Sequence, residues 1–200
     1  MVLSPTDQRL FDLRWLRSHA DLFQPLELLY GANPEFEKRL KELLLARWAE
    51  RPAELKDLDL QRDLQPDWYL SENMVGYVFY VDRFAGNFKG VLDHIVYLEN
   101  LGVTYVHFMP CLKPRPGDSD GGYSVMDYRA INPLLGTMAD FEKVARTLRH
   151  HGMTVCVDLV LNHTAKEHEW AMKARAGDAK YQAYYHMFDD EQETLTFEKT

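Results

Sequence analysis

Residues 155–164 read Val-Cys-Val-Asp-Leu-Val-Leu-Asn-His-Thr. The β-branched and apolar residues of this stretch are those of a buried strand. It ends abruptly in Asn162, His163 and Thr164. In α/β proteins, buried parallel strands that deliver polar side chains at their C-terminal ends build active sites there. Asp158 falls inside the run, where an unpaired carboxylate is costly. A basic group or a set of hydrogen-bond donors is expected to face it.

Reading backwards from this stretch, the same unit recurs. Residues 75–81 form an apolar strand pattern, and residues 88–101 a helical one with Val91, Leu92, Ile95, Leu98 and Leu101 on one face. Gly102 closes that helix where a left-handed residue is usual, and residues 103–109 read as a second strand. Thr137 caps a further helix, with Asp140 completing a capping box and Phe141, Val144, Ala145 and Leu148 on its buried face. Gly152 ends it, and residues 153–161 are the third strand. Strand, helix, strand, helix, strand with right-handed crossovers predicts a parallel sheet. The helix-to-strand links are short and the strand-to-helix links long, above all residues 110–136. Long loops at the C-terminal edge of parallel strands carry function. That places Asp82-Arg83-Phe84, the loop 113–128 and Asn162-His163 on one face.

The flanks read differently. Residues 1–70 are expected to be all-helical. Ser4-Pro5-Thr6-Asp7 resembles a capping box, and Leu10, Phe11, Leu13, Trp15 and Leu16 supply an apolar face. Asn33-Pro34 opens a second helix carrying Phe36, Leu40, Leu43, Leu44 and Trp48, and Pro52 ends it. Trp15 and Trp48 are expected in the core. Beyond Thr164 a helix is expected over 167–175, then an aromatic segment with Tyr181, Tyr184, Tyr185 and Phe188. Residues 189–200 are polar without periodicity.

Composition narrows the classes. The 200 residues carry a net charge of -8, which argues against a nucleic-acid surface and against anionic membranes. No segment approaches the roughly 20 apolar residues of a membrane span, and no secretory leader is read at the N-terminus. Cys111 and Cys156 read as buried free thiols, which makes a cytoplasmic location the expectation.

The sharpest loop motif is Ser119-Asp120-Gly121-Gly122-Tyr123. Two glycines let the backbone turn tightly beside a ligand. A carboxylate accepts hydrogen bonds from sugar hydroxyls, and a tyrosine ring stacks on a sugar face. An ordinary Asp-Gly-Gly turn with an exposed tyrosine is the other reading. No dinucleotide or P-loop signature occurs. A metal site at His163, Glu167, His168 and Glu169 is disfavoured, because His163 and His168 lack the i, i+4 spacing of a helical zinc motif and no cysteine pair is near.

Taken together, these residues resemble the α-amylase family of glycoside hydrolases. Asp158-Leu159-Val160-Leu161-Asn162-His163 is similar to that family's signature at the end of its third barrel strand. Asp67-Trp68-Tyr69-Leu70-Ser71, Tyr80-Val81-Asp82-Arg83-Phe84-Ala85-Gly86, the loop 112–123, Tyr128-Arg129, Asn132-Pro133-Leu134-Leu135-Gly136-Thr137 and Glu167-His168-Glu169-Trp170 look closer to its amylosucrase branch. The resemblance is dense over 67–188 and weaker before. It implies the first three βα units of a TIM (β/α)8 barrel over 71–164, an all-α N-terminal domain over 1–70, and the start of an inserted domain over 165–200. It further implies that Asp120, Tyr123 and His163 bind the glucosyl unit. Tyr123 would stack, His163 would hydrogen-bond a hydroxyl, and Asp120 would pair with a later arginine. Asp158, Asn162 and Asp82 would support the site. Asn162 matches a calcium-binding position of many α-amylases, but neither calcium nor another cofactor is expected in this branch.

The implied chemistry is a retaining, two-carboxylate transfer from sucrose to a glucan acceptor, with fructose released. The nucleophile, the acid/base and the pocket arginine are expected beyond Thr200, and Asp189, Asp190 and Glu191 are not assigned to those roles. The 200 residues alone are therefore expected to be poorly soluble and inactive. Sucrose hydrolysis, sucrose isomerisation, a non-catalytic carbohydrate-binding fragment and a doubly wound domain for another small molecule remain the alternatives.

Overall fold

The computed structural model describes residues 3–188 and 190–198. The chain divides into two compact units between Tyr69 and Leu70.

The first unit is built of three helices, α1 (Pro5–Tyr30), α2 (Pro34–Glu50) and α3 (Ala53–Leu64). The Ser4 hydroxyl accepts from the Asp7 N–H at 3.0 Å, and Asn33 caps α2 in the same way. The buried stripe of α1 is aromatic and runs at i, i+4 spacing through Phe11, Trp15, His19 and Phe23, each ring against the next. Leu13 and Leu16, expected on this face, are 56% and 76% exposed. The apolar residues of α1 exceed what one stripe can bury, so these two lie off it. Trp48 is buried and donates its indole N–H to the Asp7 carbonyl at 3.0 Å. Arg51 closes on both oxygens of Asp59, at 2.6 and 2.8 Å.

The second unit holds a parallel sheet in the order β1 (Gly76–Phe79), β2 (Tyr105–Phe108) and, third in space, a strand at Thr154–Val157. Phe79, Phe108 and Val157 are paired in register, so the three C-terminal ends are level. Each strand is four residues long, shorter than the apolar runs that announce it. Asp158 is therefore the first residue past its strand, not inside it. The crossover between β1 and β2 contains α4 (Val81–Ala85), α5 (Phe88–Asp93) and α6 (Ile95–Asn100). The continuous helix expected over 88–101 breaks at His94, whose Nδ1 lies 2.9 Å from the Gly90 carbonyl and whose ring packs on Phe84.

Residues 110–136, expected as loop, contain an antiparallel pair, β3 (Leu112–Pro114) and β4 (Val125–Ile131). Register shifts on both sides of Lys113 break the alternation that would have announced the hairpin. Next comes α7 (Met138–His150), with the expected capping box: the Thr137 N–H donates to Asp140 Oδ2 at 2.9 Å and the Asp140 N–H to Thr137 Oγ1 at 3.2 Å. The third parallel strand, β5 (Thr154–Val157), follows. Phe88, Leu98, Val106, Phe108, Leu148 and Met153 are fully buried between sheet and helices. After β5 come α8 (Glu169–Arg175), α9 (Ala179–Gln182) and α10 (Glu191–Glu198). The last of these forms in the stretch whose sequence is polar and shows no periodicity; Asp189 lies outside the described residues. Among the described residues no helix is long and apolar enough to cross a membrane.

Candidate functional site

The polar groups at the strand ends converge on Asp158. Its Oδ1 lies 2.9 Å from His107 Nε2, and its Oδ2 accepts the Tyr123 hydroxyl at 2.9 Å. The partners anticipated for this carboxylate are thus two donors from different segments. His107 comes from β2, in register with Cys156 of β5. Tyr123 arrives on a tight turn. The Gly122 and Ser124 N–H groups donate to the Ser119 carbonyl, and the Tyr123 N–H donates to that of Asp120, each at 3.1 Å.

That turn demands its glycines. Asp120, Gly121 and Gly122 have φ of 52°, 63° and 94°. Three consecutive residues in the left-handed region tax any side chain, and Asp120 is the one non-glycine in it among the described residues. A Cβ on Gly121 would meet Tyr80 Oη at 2.9 Å, and one on Gly122 would meet Pro110 Cβ at 3.1 Å. The Asp-Gly-Gly spacing therefore reflects both conformation and close packing against the ends of β1 and β2.

The electrostatics follow the geometry. The hydrogen bond to Asp158 holds the Tyr123 phenol above its ordinary value, with burial and the charges of Asp158 and Asp120 acting in the same direction. Burial, helped by the Asp158 charge, pushes the Cys111 thiol up to about 11. Both Cys111 and Cys156 are free thiols.

The other site residues expected from the sequence make no bond to this cluster among the described residues. Asp120 is exposed on the same turn as Tyr123, and its carboxylate has no hydrogen-bond or ion-pair partner among the described residues. Asp82 is exposed in the first turn of α4. Asn162 and His163 are exposed past β5. The His163 ring is unbonded among the described residues, but its backbone is held: the Tyr128 hydroxyl lies 2.6 Å from the Val160 carbonyl and 3.0 Å from that of His163. Glu167, His168 and Glu169 are committed elsewhere. Glu167 pairs with Arg115 at 3.1 Å, His168 caps α8, and Glu169 pairs with Lys173. A cleft of about 720 Å³ lies beside β4 and α8, lined by Tyr128, Arg129, Leu159, Leu161, His168 and Trp170. Its lining does not include Tyr123, Asp158 or His163.

His107 escaped the sequence reading. The available signal was a polar residue inside the apolar run of the second strand, but one histidine there does not name its partner. Tyr80 and Tyr128 stand in motifs that carry the resemblance, but their roles were not legible, since each acts through a contact that only the fold creates.

Comparison with known proteins bears on the family and the fold. The family model of the alpha amylase catalytic domain matches residues 49–198. The chain is 33% identical over 137 residues to trehalose-6-phosphate hydrolase of Escherichia coli K12, covering 64% of this chain and 24% of that protein. It is 39% identical over 101 residues to an oligo-1,6-glucosidase of Parageobacillus thermoglucosidasius, covering 50% of this chain and 18% of that one. Among solved structures, a MutB variant in complex with the substrate sucrose superposes with a TM-score of 0.55 at 33% identity, over 63% of this chain and 23% of that chain. MutB is a trehalulose synthase. The trehalose-6-phosphate hydrolase of Bacillus licheniformis superposes with a TM-score of 0.53 at 29% identity, over 59% of this chain and 22% of that chain. The chain thus spans about a quarter or less of the length of these relatives. With a parallel sheet whose level ends gather Asp158, Tyr123 and His107, and with three quarters of its length matching one family, this chain belongs to the alpha-amylase family, as a TIM-barrel-type α/β part of its catalytic domain.

Proposed function

We propose that this chain is the N-terminal part of a sucrose-using glucosyltransferase of the amylosucrase type, acting in the cytoplasm. Residues 1–70 are its helical N-terminal domain, 71–164 the first three βα units of its (β/α)8 barrel, and 165–200 the start of an inserted domain. The observation that carries this reading is the Ser119–Tyr123 turn, which holds Tyr123 against Asp158 at the strand ends and carries an Asp120 carboxylate with no partner among the described residues. The likeness to a sucrose-bound trehalulose synthase supports sucrose as the donor.

In this reading Tyr123 stacks on the glucosyl ring, and His163 hydrogen-bonds one of its hydroxyls. Asp120 closes the pocket against an arginine from outside residues 1–200. Asp158, Asn162 and Asp82 support the pocket. The aspartate nucleophile and the glutamate acid/base also come from outside these residues. The bond between the anomeric carbon and the fructosyl oxygen breaks as the nucleophile attacks, and the acid protonates the departing oxygen. A glucan hydroxyl then opens the glucosyl-enzyme. A second reading, sucrose isomerisation, is favoured by the same likeness to MutB.

The test is to incubate the protein at its natural length with sucrose and to quantify fructose, glucose and new disaccharide. Fructose well above glucose supports transfer to a glucan. Equal amounts indicate hydrolysis, and a new disaccharide with little of either indicates isomerisation. Unconsumed sucrose overturns the proposal.

A further inference from the structure

We propose that His107 is a positioning residue which, acting through Asp158, holds the Tyr123 ring ready to stack on a sugar; this rests on the glucosyl-pocket reading above.

The three groups differ in how firmly their backbones are held. His107 sits in β2, the central strand of the parallel sheet, paired on both sides. Asp158 is one residue beyond β5. Tyr123 rides on the turn of Asp120, Gly121 and Gly122, all three at positive φ. Rigidity therefore enters the cluster through His107. A carboxylate held by one donor still pivots about its terminal bond and takes up water at the other oxygen. Held by one donor at each oxygen, it cannot. Here His107 Nε2 takes Oδ1 and the Tyr123 hydroxyl takes Oδ2, both at 2.9 Å. The contact requires a hydrogen on Nε2 in either charge state of the ring. His107 and Tyr123 share no bond, so any coupling between them passes through Asp158.

A stacking platform that is already in place when the sugar arrives avoids an ordering cost at the moment of binding. The ring contacts the same sugar face before and during reaction, so its loss should act on KM more than on kcat. The substitution His107→Leu removes the donor, and His107→Gln keeps one. In the protein at its natural length, His107→Leu is expected to raise the sucrose KM about tenfold, with kcat changed less than about threefold. His107→Gln should recover most of that loss. Tyr123→Phe should raise KM less than additively when combined with His107→Leu. An unchanged KM in a folded His107→Leu protein, or full additivity with Tyr123→Phe, overturns the inference.

If the wild-type protein does not consume sucrose, the pocket reading fails, and the positioning role is decided by a readout without substrate. Urea unfolding of the wild type, His107→Leu, Tyr123→Phe and the double variant measures their coupling. Coupling of about threefold or more in the unfolding constant keeps the role. Additive effects remove it.

Discussion

Tyr123 and Asp158 lie 35 residues apart and meet through one 2.9 Å hydrogen bond that ties the turn after β3 to the end of β5. The bond joins two loops that no secondary structure connects. It also couples a phenol to a carboxylate, which gives the contact a titration signature.

That signature has a definite sign. The folded state binds the Tyr123 proton more tightly than the unfolded chain, because Asp158 accepts it and burial disfavours the phenolate. The resulting stability is complete below the unfolded tyrosine value near 10 and is lost as pH rises through the higher folded value. Tyr123→Phe should therefore lose less stability than the wild type between about pH 9 and about pH 11, read as urea midpoints. Tyr105, Tyr128 and Cys111 titrate in the same direction in both proteins, so the difference isolates Tyr123. Equal losses would mean the hydrogen bond is not maintained in solution.

Alanine at either turn glycine should destabilise the fold. At Gly121 it combines a φ of 63° with a 2.9 Å approach to Tyr80 Oη; at Gly122, a φ of 94° with contacts to Pro110 at 3.1 and 3.3 Å. The expected loss is about 1–3 kcal/mol for each, from strain alone. Denaturant midpoints check it, and a loss below about 0.5 kcal/mol at both would show that the turn relaxes freely.

Tyr128→Phe keeps the ring and removes the hydroxyl that serves the Val160 and His163 carbonyls. We expect about 1 kcal/mol of destabilisation from the lost hydrogen bond. Sugar affinity in the full-length protein should fall with it, because the His163 backbone is no longer held. Titration calorimetry with sucrose separates the two effects. Lost stability with full affinity would place His163 outside the sugar pocket.

The two thiols should react at very different rates. Cys111 is buried, and its thiol is pushed up to about 11, so little thiolate is available at neutral pH. Cys156 is half-buried. At about pH 8, iodoacetamide followed by peptide mass mapping should label Cys156 first and Cys111 only on unfolding. Rapid labelling of Cys111 in the native protein would contradict its burial.

Much of the architecture was legible in order along the chain. The capping box of Thr137 and Asp140 and the closing glycines Gly102 and Gly152 are local devices, readable within a few residues of each helix end. The apolar runs around Val78, Val106 and Val155 showed which segments would be strands, because buried parallel strands have little other composition. The runs overstated their length, since apolar residues continue past the last ladder bond: Leu159 and Leu161 extend the pattern while β5 stops at Val157. The break at His94 and the hairpin in the long loop were hidden for a related reason. A side chain bonding back to Gly90 and the register shifts around Lys113 both erase the periodicity that sequence reading depends on.

By itself, then, the sequence determined the parallel α/β order, the polar strand ends and the turn that presents Asp120 and Tyr123. It also showed that Asp158 needed a partner, because desolvating a carboxylate is costly wherever it happens. Only the tertiary structure decided that the partners are His107 and Tyr123, and that Tyr128 braces the His163 backbone. Those contacts span 51 and 35 residues, and strand register with turn geometry, not sequence spacing, brings their atoms within 3 Å.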